Sequence, residues 1–205
     1  MISASSFYRN LGLAGGSLWL IFVGVGFADS SLAAIQSPLA TSALALASAA
    51  ALALSAFGVH LIRTAWRLPH GPVDDSSRRR RRRIGCQFGM ALAAEALGCA
   101  AVSLLFSHHW KLIPALDLAI VGLHFLPLAR IFEVPRYYIT GTLFCIIPIA
   151  TLLTISSSAH IGHAISWIAI PAIACGLAAL ATGVAGLAEV QRFLNDSSAL
   201  SPVSA

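Results

Sequence analysis

The sequence is short of charge. Only 10% of its 205 residues are Asp, Glu, Lys or Arg, while 58% are hydrophobic. Soluble domains carry about 25% charged residues, so this chain has too little polar surface to stay folded in water. No polar stretch is long enough to make a sizeable soluble domain. Lysine is almost absent: Lys111 is the only one, and a retinal-type Schiff base has no mid-span candidate. The chain has no Gly-rich phosphate loop, HExxH, GxSxG or paired-aspartate metal motif, so the enzyme classes those motifs mark are not expected, nor is a cofactor. Cysteine is sparse. Cys86, Cys99, Cys145 and Cys175 all lie in apolar stretches and form no CxxC pair. They read as small apolar helix residues rather than a disulfide framework or a zinc site.

Long apolar runs are what the sequence does have. A spanning helix needs about 20 mostly apolar residues. Six runs qualify, at 11–27, 39–62, 84–106, 112–132, 138–156 and 164–187. None alternates with period two, which excludes a β-barrel, and only helices satisfy their own backbone hydrogen bonds within one segment in lipid. The expected fold is an all-α membrane bundle of six transmembrane helices in one domain over 1–195, with a loop at 63–83 and a disordered tail at 196–205. Pro69, Gly71 and Pro72 stop the second helix, and the like charges that follow keep the loop solvated.

The basic residues orient the bundle. With the N-terminus inside, Arg9, Arg63, Arg67, Arg78 to Arg83, Arg130, Arg136 and Arg192 all fall on the cytoplasmic side, and only Lys111 falls outside. Tyr8, Trp66, Tyr137 and Tyr138 then sit at the inner interface, Trp110 and Trp167 at the outer one, and Trp19 mid-span. Arg9, the first apolar run and small residues near Ser31–Ala34 also resemble a signal peptide. Removing it would leave five spans, whereas six already account for the charges.

Short repeats and glycine spacings bear on packing. Gly58-Val59-His60, Gly122-Leu123-His124 and Gly183-Val184-Ala185 recur near the basic end of the even-numbered spans. They hint at three helical hairpins derived from one unit. Gly12 with Gly16, and Gly85 with Gly89, have the GxxxG spacing that lets backbones approach closely. Packing inside the bundle is the plain reading, and a homo-oligomer face is the alternative.

Chemistry, if any, rests on ionisable residues inside spans, which cost at least about 2.5–3.5 kcal/mol on insertion scales. Glu95 lies near the middle of the third span, and Asp117 and His124 lie in the fourth. Asp117 and His124 are two turns apart on one helix face, and Glu95 sits at the depth of His124. They could form a polar track for protons or a small solute. They could equally be structural, with Glu95 bonded to His124 and holding two helices in register. Asp117 is also near enough to the outer interface to meet Lys111 or the histidines there.

His60 and His70 fall on the inner side, and His108, His109, His160 and His163 on the outer side. No carboxylate or cysteine completes a metal set in the outer loops, so they read as surface residues. His60 and His124 are the one conceivable pair of haem ligands. The run Arg78, Arg79, Arg80, Arg81, Arg82 and Arg83 reads as a topology determinant that also touches anionic lipid headgroups. It is too short and isolated for a nucleic-acid surface.

The segment Gly122-Leu123-His124-Phe125-Leu126-Pro127-Leu128-Ala129-Arg130-Ile131-Phe132, followed by Pro135, Tyr137, Tyr138, Thr140 and Gly141, resembles a signature of an uncharacterised family of small bacterial integral membrane proteins of unknown function. The resemblance covers about twenty residues. It implies a bacterial inner-membrane protein and brings no activity with it. Within it, Pro127 removes a backbone donor and is expected to kink the fourth helix.

The leading functional expectation is small-solute or proton-linked transport through Glu95, Asp117 and His124. The alternative is a non-catalytic accessory or structural membrane protein.

Overall fold

The computed structural model describes residues 4–35, 37–67 and 75–199. They form six long helices: α1 (Ala4–Ile35), α2 (Pro38–Trp66), α3 (Asp75–Leu105), α4 (Ile113–Phe132), α5 (Arg136–Thr154) and α6 (Ser166–Ala199). A 3-10 turn, Ser107–Leu112, joins α3 to α4, and a two-residue hairpin, β1 (His160–Ile161) with β2 (Ala164–Ile165), joins α5 to α6. All six helices are long and apolar enough to cross a membrane. The protein is therefore a six-helix, all-α membrane bundle. Even the shortest, α5, at 19 residues, reaches about 28 Å at 1.5 Å per residue, close to a hydrocarbon core of about 30 Å.

Each chain-adjacent pair packs together except α2 and α3, and α1 packs on α6. The helices follow the order α2, α1, α6, α5, α4, α3, with α6 also touching α2 and α4. The hairpins α1–α2, α3–α4 and α5–α6 are thus each contiguous. The core lies along α1, α6, α5 and α4, where Ile21, Phe144, Cys175, Ala179, Leu187 and Val190 are fully buried.

Small residues make this core. Lipid is as apolar as leucine, so helices associate through close packing rather than through hydrophobic transfer. A Cβ on Gly176 would sit 2.6 Å from the Gly24 carbonyl oxygen, and one on Gly122 would sit 2.7 Å from that of Gly141. The α1–α6 and α4–α5 contacts therefore need glycine. Thr140 and Thr182 share a hydrogen bond of 2.6 Å between α5 and α6. The GxxxG pairs expected to pack internally mostly do not. Only Gly16 meets a neighbour, the Tyr137 hydroxyl, while Gly12, Gly85 and Gly89 face open space.

Several boundaries differ from those expected. Ser37 caps α2 by accepting from the Ala40 N–H at 3.1 Å, and Pro38 takes the first helical position, as a pre-set φ favours. The arginine run is helix rather than loop. Arg78 to Arg83 form early turns of α3, which begins at Asp75. Arginine is a good helix former, and Asp75 suits the positive end of the helix dipole. Residues 68–74, including His70, lie outside the described residues, so the connector between α2 and α3 is shorter than 63–83. Helix α4 runs unbroken through Pro127. Helix α6 continues beyond Asn195 to Ala199, with Ser197 bonding back to the Phe193 carbonyl, so residues 196–199 are helix rather than part of the expected tail, and 200–205 lie outside the described residues.

At the far end, Gly162 has φ +61° and its missing Cβ would sit 2.5 Å from the Ile35 carbonyl, so the hairpin presses on the end of α1. Trp19 is 65% exposed, on the outer surface of α1. Tyr137 is not an interface anchor: it is buried against Phe125, with ring centroids 5.7 Å apart. Tyr138 and Trp66 are exposed, as a belt position requires.

Candidate functional site

The candidate residues meet at the seam between α3 and α4. On α3, Ile84, Phe88, Ala91, Glu95, Gly98 and Val102 recur at alternating steps of four and three. Such steps make one narrow stripe along a helix. The stripe faces α4, the one long helix that α3 packs on closely. No described residue of the α3 span is buried, so nearly all the rest of its surface is left to lipid.

Along this seam Phe88 meets Phe132 edge-on, with centroids 5.9 Å apart. Nδ1 of His124 lies 3.2 Å from Oε2 of Glu95, an ion-pair distance for a protonated imidazole, with side chains 9% and 21% exposed. The ring nitrogen has no aligned hydrogen-bond partner, so the pair is a close polar contact rather than a well-directed bond. Gly98 then seats the Ile120 side chain, which a Cβ would approach to 3.1 Å. One turn beyond Glu95, Cys99 lies beside Asp117, while Oδ1 of Asp117 is buried and unpartnered.

The three candidates thus share one seam, with Glu95 against His124 as the helix depths suggested. Asp117 turns to Cys99 rather than to Lys111 or the outer histidines. Cys99 was legible only as an apolar filler, and its i,i+4 spacing from Glu95 was the available signal. Two cavities among the described residues lie at the basic end and on the outer face of α5, and neither is lined by Glu95, Asp117 or His124.

The family-like segment is a packing unit. Gly122 and Gly141 bring α4 and α5 together, and Phe125 stacks edge-on against both Tyr137 and Phe144. His124 faces α3, Pro127 and Arg130 are exposed, and Pro135 stands in the turn before α5. His60, His108, His109, His160 and His163 are all exposed. Among the described residues no three His, Cys, Asp or Glu side chains gather as a metal site. His60 sits on α2, which does not pack closely on α4, so it does not oppose His124.

Two features were missed from the sequence. Asp29 lies inside α1 and accepts a hydrogen bond of 3.0 Å from Ser48 on α2, leaving Oδ1 buried and unpartnered. The span expected from the sequence ended at Phe27, short of Asp29. The second is a charged cluster at the basic end. Glu189 of α6 takes Arg9 of α1 at 3.5 Å and Arg136 of α5 at a shorter distance, while Arg80 of α3 reaches Glu133 at 2.6 Å. The signal was that Glu133 and Glu189 are isolated carboxylates beside flanking arginines. Glu133 ends α4 with φ 57°, left-handed. That conformation costs a non-glycine residue about 1–2 kcal/mol. Arg78, Arg79, Arg82 and Arg83 are exposed, and the Arg81 side chain lies outside the described set.

No family model, curated protein or solved structure matches the chain.

Proposed function

We propose that the protein is a non-catalytic accessory or structural protein of a bacterial inner membrane, with Glu95 and His124 acting as a clasp that holds α3 on α4. The observation that carries this reading is the place of the pair. A permeation track belongs inside a bundle, walled by several helices and reached by a cavity. This pair lies on a peripheral seam, between α4 and a helix that packs closely on no other long helix and whose span has no described residue buried. Replacing lipid contact by the Glu95–His124 contact fixes the register and rotation of a helix that buries almost nothing else.

Both ends and the arginine segment face the cytoplasm in this reading. The support is the excess of arginine at one end and the ion pairs that tie Arg9, Arg136 and Arg80 to Glu189 and Glu133 there. Anionic headgroups are the natural contacts of the exposed arginines of α3. The open face of α3 that carries Gly85 and Gly89 suits a second copy of the chain. Cys86 is exposed beside it, so oxidative crosslinking through Cys86 tests that contact.

Proton-linked transport is the second reading, favoured by the unpartnered buried atoms of Asp117 and His124 on one seam. Proton flux into vesicles holding the purified protein separates the two. The clasp predicts flux no greater than in empty vesicles, with Glu95→Gln and His124→Ala lowering thermal stability. Flux that Glu95→Gln abolishes while the fold is retained would make transport the correct reading.

A further inference from the structure

The basic end holds a built cleft. Arg9 of α1, Glu133, Val134 and Pro135 of the α4–α5 turn, Arg136 of α5 and Glu189 of α6 enclose about 250 Å³. Its walls carry both signs of charge. Arg9 and Arg136 converge on Glu189, and Glu133 lines the same cleft while pairing with Arg80. A simple anion entering here meets two carboxylates, and a simple cation meets two guanidiniums. A group carrying a phosphate and an ammonium a few ångströms apart meets complementary charge at both ends.

A shallow apolar groove of about 290 Å³ lies on the outer face of α5, in the first turns after Arg136, formed by Tyr138, Ile139, Thr142 and Leu143. Ile139 and Leu143 stand within about 60° of Arg136 around the helix, Thr142 and Tyr138 about 120° and 160° from it, and the groove runs from about 3 to 10 Å along the axis beyond it. Charge at the membrane surface followed by an apolar channel into the hydrocarbon is the order of groups in a phospholipid. Glu133 adds a separate observation. It occupies a left-handed helix end where glycine would be unstrained, so the position carries a carboxylate at the expense of backbone comfort.

We propose that this pair of clefts binds one phospholipid with a primary-ammonium headgroup, of the phosphoethanolamine type. Its phosphate lies against Arg9 and Arg136, its ammonium lies between Glu133 and Glu189, and one acyl chain follows the α5 groove. This site is distinct from the exposed Arg78, Arg79, Arg82 and Arg83 of α3, and it does not depend on the Glu95–His124 clasp.

The test uses the full chain purified in detergent and supplemented with phosphatidylethanolamine, phosphatidylglycerol or phosphatidylcholine of matched acyl chains. Native mass spectrometry and thermal unfolding are the readouts. The expected result is one retained phosphatidylethanolamine, bound at least threefold more tightly than the other two. Phosphatidylglycerol lacks the cation, and the quaternary ammonium of phosphatidylcholine has no N–H to donate. Leu143→Trp fills the groove without touching the charges and is expected to weaken phosphatidylethanolamine binding at least threefold. Glu133→Gly relieves the backbone and removes only an exposed ion pair, which contributes little. The lipid-free protein is then expected to be no less stable, while the preference for phosphatidylethanolamine over phosphatidylglycerol disappears. Equal or tighter binding of phosphatidylglycerol by the unmodified protein would overturn the proposal in favour of simple attraction of anions to arginine. Equal retention of all three lipids would overturn it in favour of unselective boundary lipid. Soluble phosphoethanolamine binding as tightly as the whole lipid would remove the groove from the site.

Discussion

A double-mutant cycle on Glu95 and His124 tests the clasp most directly. The variants are Glu95→Leu, His124→Leu and the double substitution. Each single change leaves the other polar group at an apolar seam, with the His124 side chain only 9% exposed. Stranding a buried polar group costs about 1–3 kcal/mol. Replacing both removes the stranded group, and two leucines suit a seam already lined by Phe88, Ile120 and Phe132. The double variant is therefore expected to lose much less than the sum of the singles. Coupling energies between polar side chains in membranes average about 0.6 kcal/mol and reach about 1.7 kcal/mol, which brackets the expected value. Detergent-driven unfolding in mixed micelles measures the cycle, and amide exchange should show α3 loosening first, because none of its described residues is buried. If the two singles add to within about 0.3–0.5 kcal/mol, the scatter of independent sites, the pair does not act as a clasp.

Four further outcomes are expected. Gly176→Ala forces a methyl against the Gly24 carbonyl and should destabilise the bundle by about 1–3 kcal/mol, whereas Gly85→Ala, facing open space, should change unfolding little unless α3 pairs with a second copy. Gly122→Ala should behave like Gly176→Ala, for the same reason at α4–α5. Asp29→Ala removes a carboxyl with one hydrogen bond and one buried orphan oxygen and should raise stability by about 1 kcal/mol, since buried charge is costly in a membrane; a loss of that size would show that Ser48 and Asp29 lock α1 to α2. Replacing Arg78 to Arg83 by serine should produce chains inserted both ways round, detected by thiol labelling of Cys86 from each side of sealed vesicles.

The six spans were legible because apolar length and arginine placement are properties of single segments, and lipid removes the competing solutions. The depth match of Glu95 and His124 was legible for the same reason, since depth follows from position along a span. The order of the helices was not. Nothing local distinguishes Gly24 and Gly176, which touch, from Gly85 and Gly89, which touch nothing, because GxxxG spacing describes one helix and contact needs two. Tyr137 shows the same gap. A tyrosine at a span boundary reads as a belt residue, and only the neighbouring Phe125 and Gly16 turn it into core. The arginine run hid the start of α3, since charge density reads as loop while arginine itself is content in a helix. Glu189 lay unnoticed because its worth depends on Arg9 and Arg136, far away in the chain.

The position of α6 between α1 and α5 has a consequence for how the protein is made. Translation delivers α1 and α2 first, then α3, α4 and α5. Without α6 these two groups share hardly any surface, so they enter the bilayer as separate parcels with glycine-lined faces unmatched. The final helix joins them, meeting α1 through Gly176 and α5 through Thr182 while its Glu189 gathers Arg9 and Arg136. A ribosome stalled before α6, or a frameshift within it, would leave two half-assemblies rather than a slightly weakened whole, and quality control would see the difference at once.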